Sequence, residues 1–452
     1  MIKIIPVILI LIQFLICAEL FSQSTITIDS INTEMEVLQG ENNYGRMISL
    51  GESYLRKGYD SFFLRARLGI AYYETNQYLK AIPQLENTMK YGIDNPSVLT
   101  DLYFSYFYTG READRDYVFS RLNKSSKKRL QPLNNIIANN IFSDFGFSVS
   151  GDEADNSMNT IPGELYNEQI VNGNAFFIGV GINQLLFQSL SIDYVYNYLK
   201  IDKTKIIKSA DLQYSNDYSE YQNRFYNRYN IRVSDGLVIS PAGHFIGIDY
   251  SSIFGQSDTA NSASGYSVYE KGSVYDSFVL SADITKYKTK YRAGINGSFS
   301  FLNNIHQWQL GASFKIFPMN KASFYTASDI YIQNQNDVAN LIFNQSLGGF
   351  SGKKFFYELF FTIGNINNFN ERNGALVYND PDVIKFKTGF DMKYYISHLF
   401  NLNLGYSFQS RDRNSYAYVN DSSVNSNQLT AQKSSLSSYS INNIFAGFKF
   451  TF

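Results

Sequence analysis

The sequence predicts a short helical domain followed by a 14-stranded antiparallel transmembrane β-barrel. Three observations carry that expectation. From about Ile141 onward, apolar and polar residues alternate in runs separated by turn signals. The chain opens with an apolar leader of secretory type, Lys3 followed by Ile4–Ile16. It closes on Ile444-Phe-Ala-Gly-Phe-Lys-Phe-Thr-Phe452, in which Ile444, Ala446, Phe448, Phe450 and Phe452 share one parity. Successive side chains of a strand point to opposite faces, so this last segment is apolar on one side and small or polar on the other.

Composition agrees. Aromatic residues make up 16% of the 452 positions, with 36 Tyr and 37 Phe, a loading suited to the interfacial girdles of a barrel. Mean hydropathy is slightly negative, and no apolar run after the leader reaches the length of a membrane helix. The net charge of −1 gives no bulk signal for nucleic acid. Residues 1–22 are assigned to the leader, with cleavage near Ser22–Gln23 or alternatively after Ala18. Cys17 is the single cysteine, preceded by Ile16 where a lipidation signal wants a small residue. The expected mature chain therefore has no thiol for a disulfide or a thiolate metal site.

Residues 23–132 carry helical periodicity. Leu68-Gly69, Tyr72 and Ala81 stand at the offsets of a tetratricopeptide helix pair. Leu102, Tyr106 and Phe119 repeat the pattern one period later, with Arg115 in the place of Ala81. Upstream, Leu50-Gly51 and Tyr54 are off period, so Tyr44–Lys57 is read as the second helix of an incomplete first repeat. Stacked repeats bury a continuous core and leave a concave face. Leu68, Gly69, Tyr72 and Tyr106 are taken as candidate partner-binding residues. A foot that only orients the barrel is the alternative. Lys124, Lys127, Lys128 and Arg129 close this region ahead of Pro132.

Residues 133–452 are assigned to the barrel. Val383–Ile396 is the clearest strand: Phe386, Thr388, Phe390, Met392 and Tyr394 fall on one face, and Lys385, Lys387, Gly389, Asp391 and Lys393 on the other. Slipping it by one residue would expose three lysines to lipid, at roughly 2–4 kcal/mol for each near the midplane. Short turns such as Asp235-Gly236 and Tyr287-Lys288 alternate with longer segments, including Gly151–Gly173, Gly255–Gly272, Asn365–Asp382 and Asp412–Ser437. Residues 201–221 are folded into a loop, with an extra hairpin left open, because single-chain bacterial barrels have even strand numbers. The last strand is expected to close on Ile141–Ser150.

The expected lumen charges are Arg224, Arg228, Arg232, Lys290, Arg292, Lys385, Lys387 and Lys393, an excess over nearby carboxylates. They suit an anionic solute or chain, or else cross-lumen ion pairs that leave the barrel closed at rest. No long segment is expected to serve as a separate plug. The three histidines, His244, His306 and His398, are scattered, and no nucleophile motif accompanies them. Acids at 151–156 and 379–382 lack calcium-loop spacing. No cofactor, metal site or enzymatic activity is expected.

Two motifs carry a family resemblance: Leu68-Gly69-x-x-Tyr72…Ala81, and Gly447-x-x-Phe450-x-Phe452 in the position of a barrel-assembly signal. With the leader, the helices and fourteen strands, the chain resembles the surface lipoprotein assembly modifier proteins and, more loosely, polysaccharide-export barrels and YaiO-type outer-membrane proteins. Phe445 departs from the assembly signal, which prefers a polar residue there. The resemblance implies a Gram-negative outer-membrane barrel with its helices in the periplasm. Its partners would be outer-membrane lipids, the barrel-assembly machinery and a periplasmic protein or glycan client, with no nucleic acid. The function it implies is assistance in translocating that client or assembling it at the surface. A structural or passive-diffusion barrel is the alternative, and a rim hydrolase using His306 or His244 a third.

Overall fold

In the computed structural model, the described residues are 27–131, 138–154, 161, 163–258, 262, 265–319, 321–420 and 429–452. The leader assigned to residues 1–22 lies outside them. The chain forms two units, 1–93 and 94–452.

Among its described residues the first unit holds four helices: α1 (Ile28–Gly40), α2 (Tyr44–Arg56), α3 (Phe62–Glu74) and α4 (Tyr78–Met89). Side-chain caps start three of them, from Thr27, Asn43 and Ser61. Ile31, Met35 and Leu38 of α1 pack with Met47, Tyr54, Leu64 and Ala71. The first repeat is therefore complete, which corrects the expectation of an incomplete one. Its opening helix lies within the residues of helical period but carries no Leu-Gly-x-x-Tyr to mark it as part of a repeat. It is instead a helix with a capping box and an apolar stripe. Ile28 and Phe62 open the first helix of each pair, and Tyr44 and Tyr78 the second, so each start recurs 34 residues on. Gly69 is required by packing: a Cβ there would lie 2.4 Å from Leu85 Cδ2 of α4. Tyr54 donates to Glu34 at 2.5 Å, which pushes its phenol up to about 12.

The second unit begins with α5 (Pro96–Thr109), α6 (Glu112–Arg121) and α7 (Lys124–Leu130). Pro96 and Glu112 sit one further 34-residue period on. Among the described residues sixteen strands follow. Fourteen close the barrel: β1 (Asn140–Ser150), β2 (Glu164–Phe187), β3 (Leu190–Lys208), β4 (Gln213–Ser234), β5 (Leu237–Ser257), β6 (Tyr266–Tyr287), β7 (Tyr291–Leu302), β8 (Ile305–Ile316), β9 (Tyr325–Gln335), β10 (Val338–Ser351), β11 (Phe355–Ile366), β14 (Val383–Tyr395), β15 (Phe400–Asn420) and β16 (Leu429–Thr451). The remaining two, β12 (Phe369–Glu371) and β13 (Leu376–Tyr378), form a separate hairpin. The seam is β1 against β16, from Asn140↔Thr451 to Ser150↔Ile441, and the Phe452 amide bonds the Asn139 carbonyl at 2.9 Å.

Each barrel strand carries at least one exposed large apolar side chain, among them Phe147, Val180, Phe225, Ile295, Leu310, Ile332, Leu359, Leu404 and Ile444. A continuous apolar band on the outside of a closed barrel is what a bilayer requires, because closure leaves no unpaired edge in hydrocarbon.

The wall is uneven in height. β2 has 24 residues and β16 has 23, whereas β7, β8 and β11 have 12 each. Much of what reads as loop in the sequence is strand that continues past the bilayer. Residues 201–221 are the clearest case: β3 and β4 pair without a break from Leu190↔Ile231 to Lys208↔Gln213.

Candidate functional site: a plugged lumen

The segment between β11 and β14 folds inward and blocks the barrel, which corrects the expectation that no plug segment exists. β11 parts from β10 at Gly364, whose φ of 140° is open to glycine alone, and leaves β14 after Ile366. The chain then runs into the lumen as the β12–β13 hairpin. Its turn carries positive φ at Arg372, Asn373 and Gly374. Asn-Gly between two apolar strand runs is a strong hairpin signal in sequence, and it was legible here.

Side chains from across the barrel hold this hairpin by its main chain. Gln307, Gln309 and Gln333 donate to the carbonyls of Asn368, Asn370 and Asn367 respectively, the last two bonds at 2.8 and 3.0 Å. At the tip, His244 Nδ1 donates to the Gly374 carbonyl at 2.7 Å, and Ser281 and Tyr226 donate to the Asn373 carbonyl. Two apolar clusters anchor the flanks: Phe369 with Tyr331, Ile342, Ile366 and Ile384, and Val377 with Ile246, Ile248, Val279 and Leu302. Lys387 donates to Glu371 at 2.8 Å and to Tyr378 at 2.8 Å, forming a buried ion pair between wall and plug.

A second closure lies at the end with the short turns. Phe104, Phe107 and Tyr108 of α5 meet His398, Tyr395 and Phe350 at centroid distances of 5.5, 5.3 and 5.6 Å. On the opposite side of the mouth, Asp114 of α6 is 1% exposed. It accepts from Arg232 at 2.7 Å, from Arg111 at 2.8 Å and from the Gly236 amide at 3.2 Å. The Arg232 and Arg111 guanidiniums lie on the rings of Tyr117 and Tyr106, at 3.9 and 4.5 Å. Glu112 sits 3.7 Å from Lys449, which holds its carboxyl well below the ordinary range. The third helix pair is thus a floor. A cavity of about 280 Å³ beside it is lined by Glu112, Arg115, Asp144, Asp193, Lys393 and Lys449.

A third closure lies at the far mouth. Above the end of β14, the freed edge of β15 pairs with β2, Tyr416–Val419 against Glu164–Glu168. The β15–β16 hairpin therefore leans over the end of β1. Tyr166 stacks on Tyr418 at 4.8 Å and meets Tyr266 at 5.0 Å, with Ile207 and Ile253 beneath. Buried ion pairs support this roof: Lys203–Glu220 at 2.8 Å, Lys205–Glu168 at 2.8 Å and Arg413–Asp152 at 2.6 Å. Asp382 accepts from Tyr439 and Asn172, and burial pushes its carboxyl well above the usual range. Asn172 bridges Asp152 and Asp382 of the two acidic segments noted in the sequence, and Arg413 and Arg411 pair with Asp152 and Asp380. Among the described residues, no group of three or more His, Cys, Asp or Glu side chains is placed to hold a metal ion.

The predicted lumen charges have several fates. Arg224 donates to Gln222, to the Val377 carbonyl and to Asn379. Arg228 pairs with Asp283 at 3.2 Å. Arg232 belongs to the floor and Lys387 to the plug. Arg292 stands beside Lys315 in the ladder, and Lys393 lines the floor cavity. Lys290 lies exposed in the turn between β6 and β7. Lys385 does not share the face of Lys387. The ladder shifts between Ile384 and Phe386, Ile384 is buried against the plug, and the Lys385 amine is half-exposed beside Asn365 at 2.8 Å.

The four candidate partner-binding residues are interior. Leu68 and Tyr106 are 0% exposed, Tyr72 is 3% exposed and donates to Glu52, and Gly69 is sealed by Leu85. They build the helix pairs and present no surface to a client. At the seam, a Cβ on Gly447 would lie 2.2 Å from Asp144 Oδ1, and Phe450 packs between Phe400, tilted at 6.3 Å, and Phe452, edge-on at 5.4 Å.

No protein-family model matches the chain, and no curated protein matches its sequence. Solved structures that resemble it are bacterial barrels. A Pseudomonas aeruginosa FadL homologue is 6% identical, with TM-score 0.44, over 70% of this chain and 90% of that one. The P. putida toluene transporter TodX is 8% identical, with TM-score 0.44, over 70% and 90%. The translocator domain of autotransporter NalP from Neisseria meningitidis is 10% identical, with TM-score 0.30, over 77% and 99%. Likeness at this level says nothing of cargo, and the architecture stands on the chain's own strand ladder. The fold and site define a transmembrane β-barrel of the outer-membrane type, plugged by its own segments.

Proposed function

We propose that this protein is a gated outer-membrane barrel that helps a periplasmic client reach the cell surface, with the helix pairs recruiting the client. The observation that carries the reading is the double closure along one axis: the β12–β13 hairpin inside the lumen and the α5–α6 floor beneath it. A passive-diffusion barrel has no use for a plug tied to the wall by main-chain hydrogen bonds from several strands. A hydrolase needs a nucleophile beside a general base, whereas His244 is committed to the plug, His398 Nε2 bonds the Leu130 carbonyl and His306 stacks on Phe299 and packs against Phe301. We assign no enzymatic activity. The helices lie on the periplasmic side in this reading, because short turns mark that end of bacterial barrels. The 34-residue helix pairs suit tetratricopeptide-type recruitment.

The test is in-cell cross-linking with the affinity-tagged full chain, compared with a chain lacking residues 27–93. Recovery of an exported protein or glycan that depends on those residues is the expected result. Equal recovery from both chains would overturn the recruiting role.

A further inference from the structure

The departure of β11 at Gly364 leaves a second feature, in the wall itself. β10 pairs with β9 over its whole outer half, Val338↔Gln335 through Ile342↔Tyr331. Its pairing with β11 begins only at Phe343↔Ile363. Beyond that point β11 stays with β14, through Ile366↔Ile384, and diverges from β10. Val338–Ile342 is therefore a strand edge without a wall partner.

The direction of its main-chain groups can be worked out. β9 and β10 are joined by a two-residue turn, Asn336-Asp337, both residues at positive φ. Such a turn makes Gln335 and Val338 a hydrogen-bonded pair. By alternation, Asn340 and Ile342 also face β9, while Ala339 and Leu341 turn their N–H and C=O groups into the gap. The position of Gly364 agrees: the atom closest to a Cβ built there is the Leu341 carbonyl oxygen, at 2.7 Å.

The gap opens into a cavity of about 590 Å³, lined by Asn340, Asn365, Asn414, Lys385, Lys433 and Asp412 among others. It lies at the outer interface of the membrane, since Trp308 on β8 is in register with Asn334, which pairs with Ala339. Natural edges are usually blunted by lysine, proline or a bulge. Val-Ala-Asn-Leu-Ile at 338–342 has none of these.

We infer that the edge Val338–Ile342 is a docking site for an extended polypeptide strand of the translocated client, added to the wall by main-chain hydrogen bonding. Three features select this occupant. Val338–Ile342 has a ladder partner on the β9 side alone, and a polypeptide main chain complements the side that Ala339 faces, up to the Leu341 carbonyl, which Gly364 covers. The lining is rich in amides, which suits a peptide and is a poor match for a hydrocarbon chain. Lys385 pairs with Asp412 at 3.6 Å, and Lys433 adds a further cation that favours an acidic side chain on the incoming segment. The root of the plug, Asn365–Asn367, lies on the same cavity, so the site adjoins the route the plug blocks. This inference rests on the proposal that the barrel helps a client reach the surface, and takes that client to be a protein.

The experiment uses the full chain in lipid nanodiscs and a fluorescent seven-residue peptide of alternating Val and Thr with one Asp. A second peptide of the same sequence is N-methylated on alternate amides and cannot form the ladder. The unmodified peptide is expected to bind, and the methylated one about tenfold more weakly, as for the loss of one to two main-chain hydrogen bonds. Ala339→Pro should weaken the unmodified peptide by a similar factor, since it removes a donor on the gap side and leaves the β9 ladder intact. Lys433→Glu should weaken it too. Equal binding of both peptides, no binding of either, or a gap filled by co-purified lipid in native mass spectrometry would each overturn the inference. Failure here leaves the cross-linking result on residues 27–93 untouched, so the two readings fall separately.

Discussion

The floor can be tested at one carboxylate. Asp114→Ala removes the acceptor shared by Arg232, Arg111 and the Gly236 amide, at a site where Asp114 is 1% exposed. Breaking a buried ion pair from one side costs roughly 3–5 kcal/mol, because the remaining charge is left uncompensated. Here the cost should fall near the lower end. Arg232 keeps its contact with Asp235, and both guanidiniums keep an aromatic ring. About 3 kcal/mol of lost docking free energy is roughly a hundredfold rise in the undocked population. Amide exchange over Glu112–Arg121, followed by mass spectrometry on the full chain in micelles, reads that population directly. Protection should fall by about that factor, while β1–β16 amides stay protected. Asp114→Asn should lie between, because one acceptor oxygen survives. Unchanged protection of α6 in Asp114→Ala would refute the clasp and leave the aromatic contacts of α5 as the real attachment.

Further expectations concern the plug, the helices and the roof. Glu371→Ala leaves Lys387 buried with only Tyr378 as a hydrogen-bond partner; the hairpin should then leave the lumen more often, and trypsin cleavage after Arg372 should accelerate by roughly a hundredfold, as for the loss of about 3 kcal/mol from a broken buried pair. Gly69→Ala places a methyl 2.4 Å from Leu85 Cδ2; overpacking of this kind costs about 1–3 kcal/mol, visible as an earlier loss of helical circular dichroism on heating. At the roof, Asp382 has a raised folded value. Its contribution is therefore fully present below the ordinary carboxylate range and lost as pH rises through the raised value. Amide exchange of the segment at 380–382, corrected for intrinsic rate, should speed up as pH rises in that window, and Asp382→Asn should flatten the dependence.

The barrel was legible in the sequence where lipid imposes alternation. Phe386 through Tyr394 fall outward as the parity of β14 demands, and β1 closes on β16 at the expected segment. Above the bilayer that constraint ends. The far halves of β3, β4, β15 and β16 carry polar residues on both faces and read as loops. Lys385 was misplaced because a bulge adds one residue to the strand, and bulges leave no trace in a parity count. The plug was the costliest omission. Its Asn373-Gly374 turn was visible, but the destination of that hairpin depends on Gln307, Gln309, Gln333 and His244, which come from three other strands. The floor was hidden for the same reason: Asp114 and Arg232 are 118 residues apart and meet only in the closed barrel.

Single-channel recording in planar bilayers tests the central claim most directly. The wild-type chain should be electrically silent. A variant combining Asp114→Ala, replacement of residues 367–380 by a short Gly-Ser linker and Arg413→Ala at the roof should show open-channel current. A large, steady open conductance from the wild-type chain would contradict the account, since neither the hairpin nor the floor would then be closing the lumen.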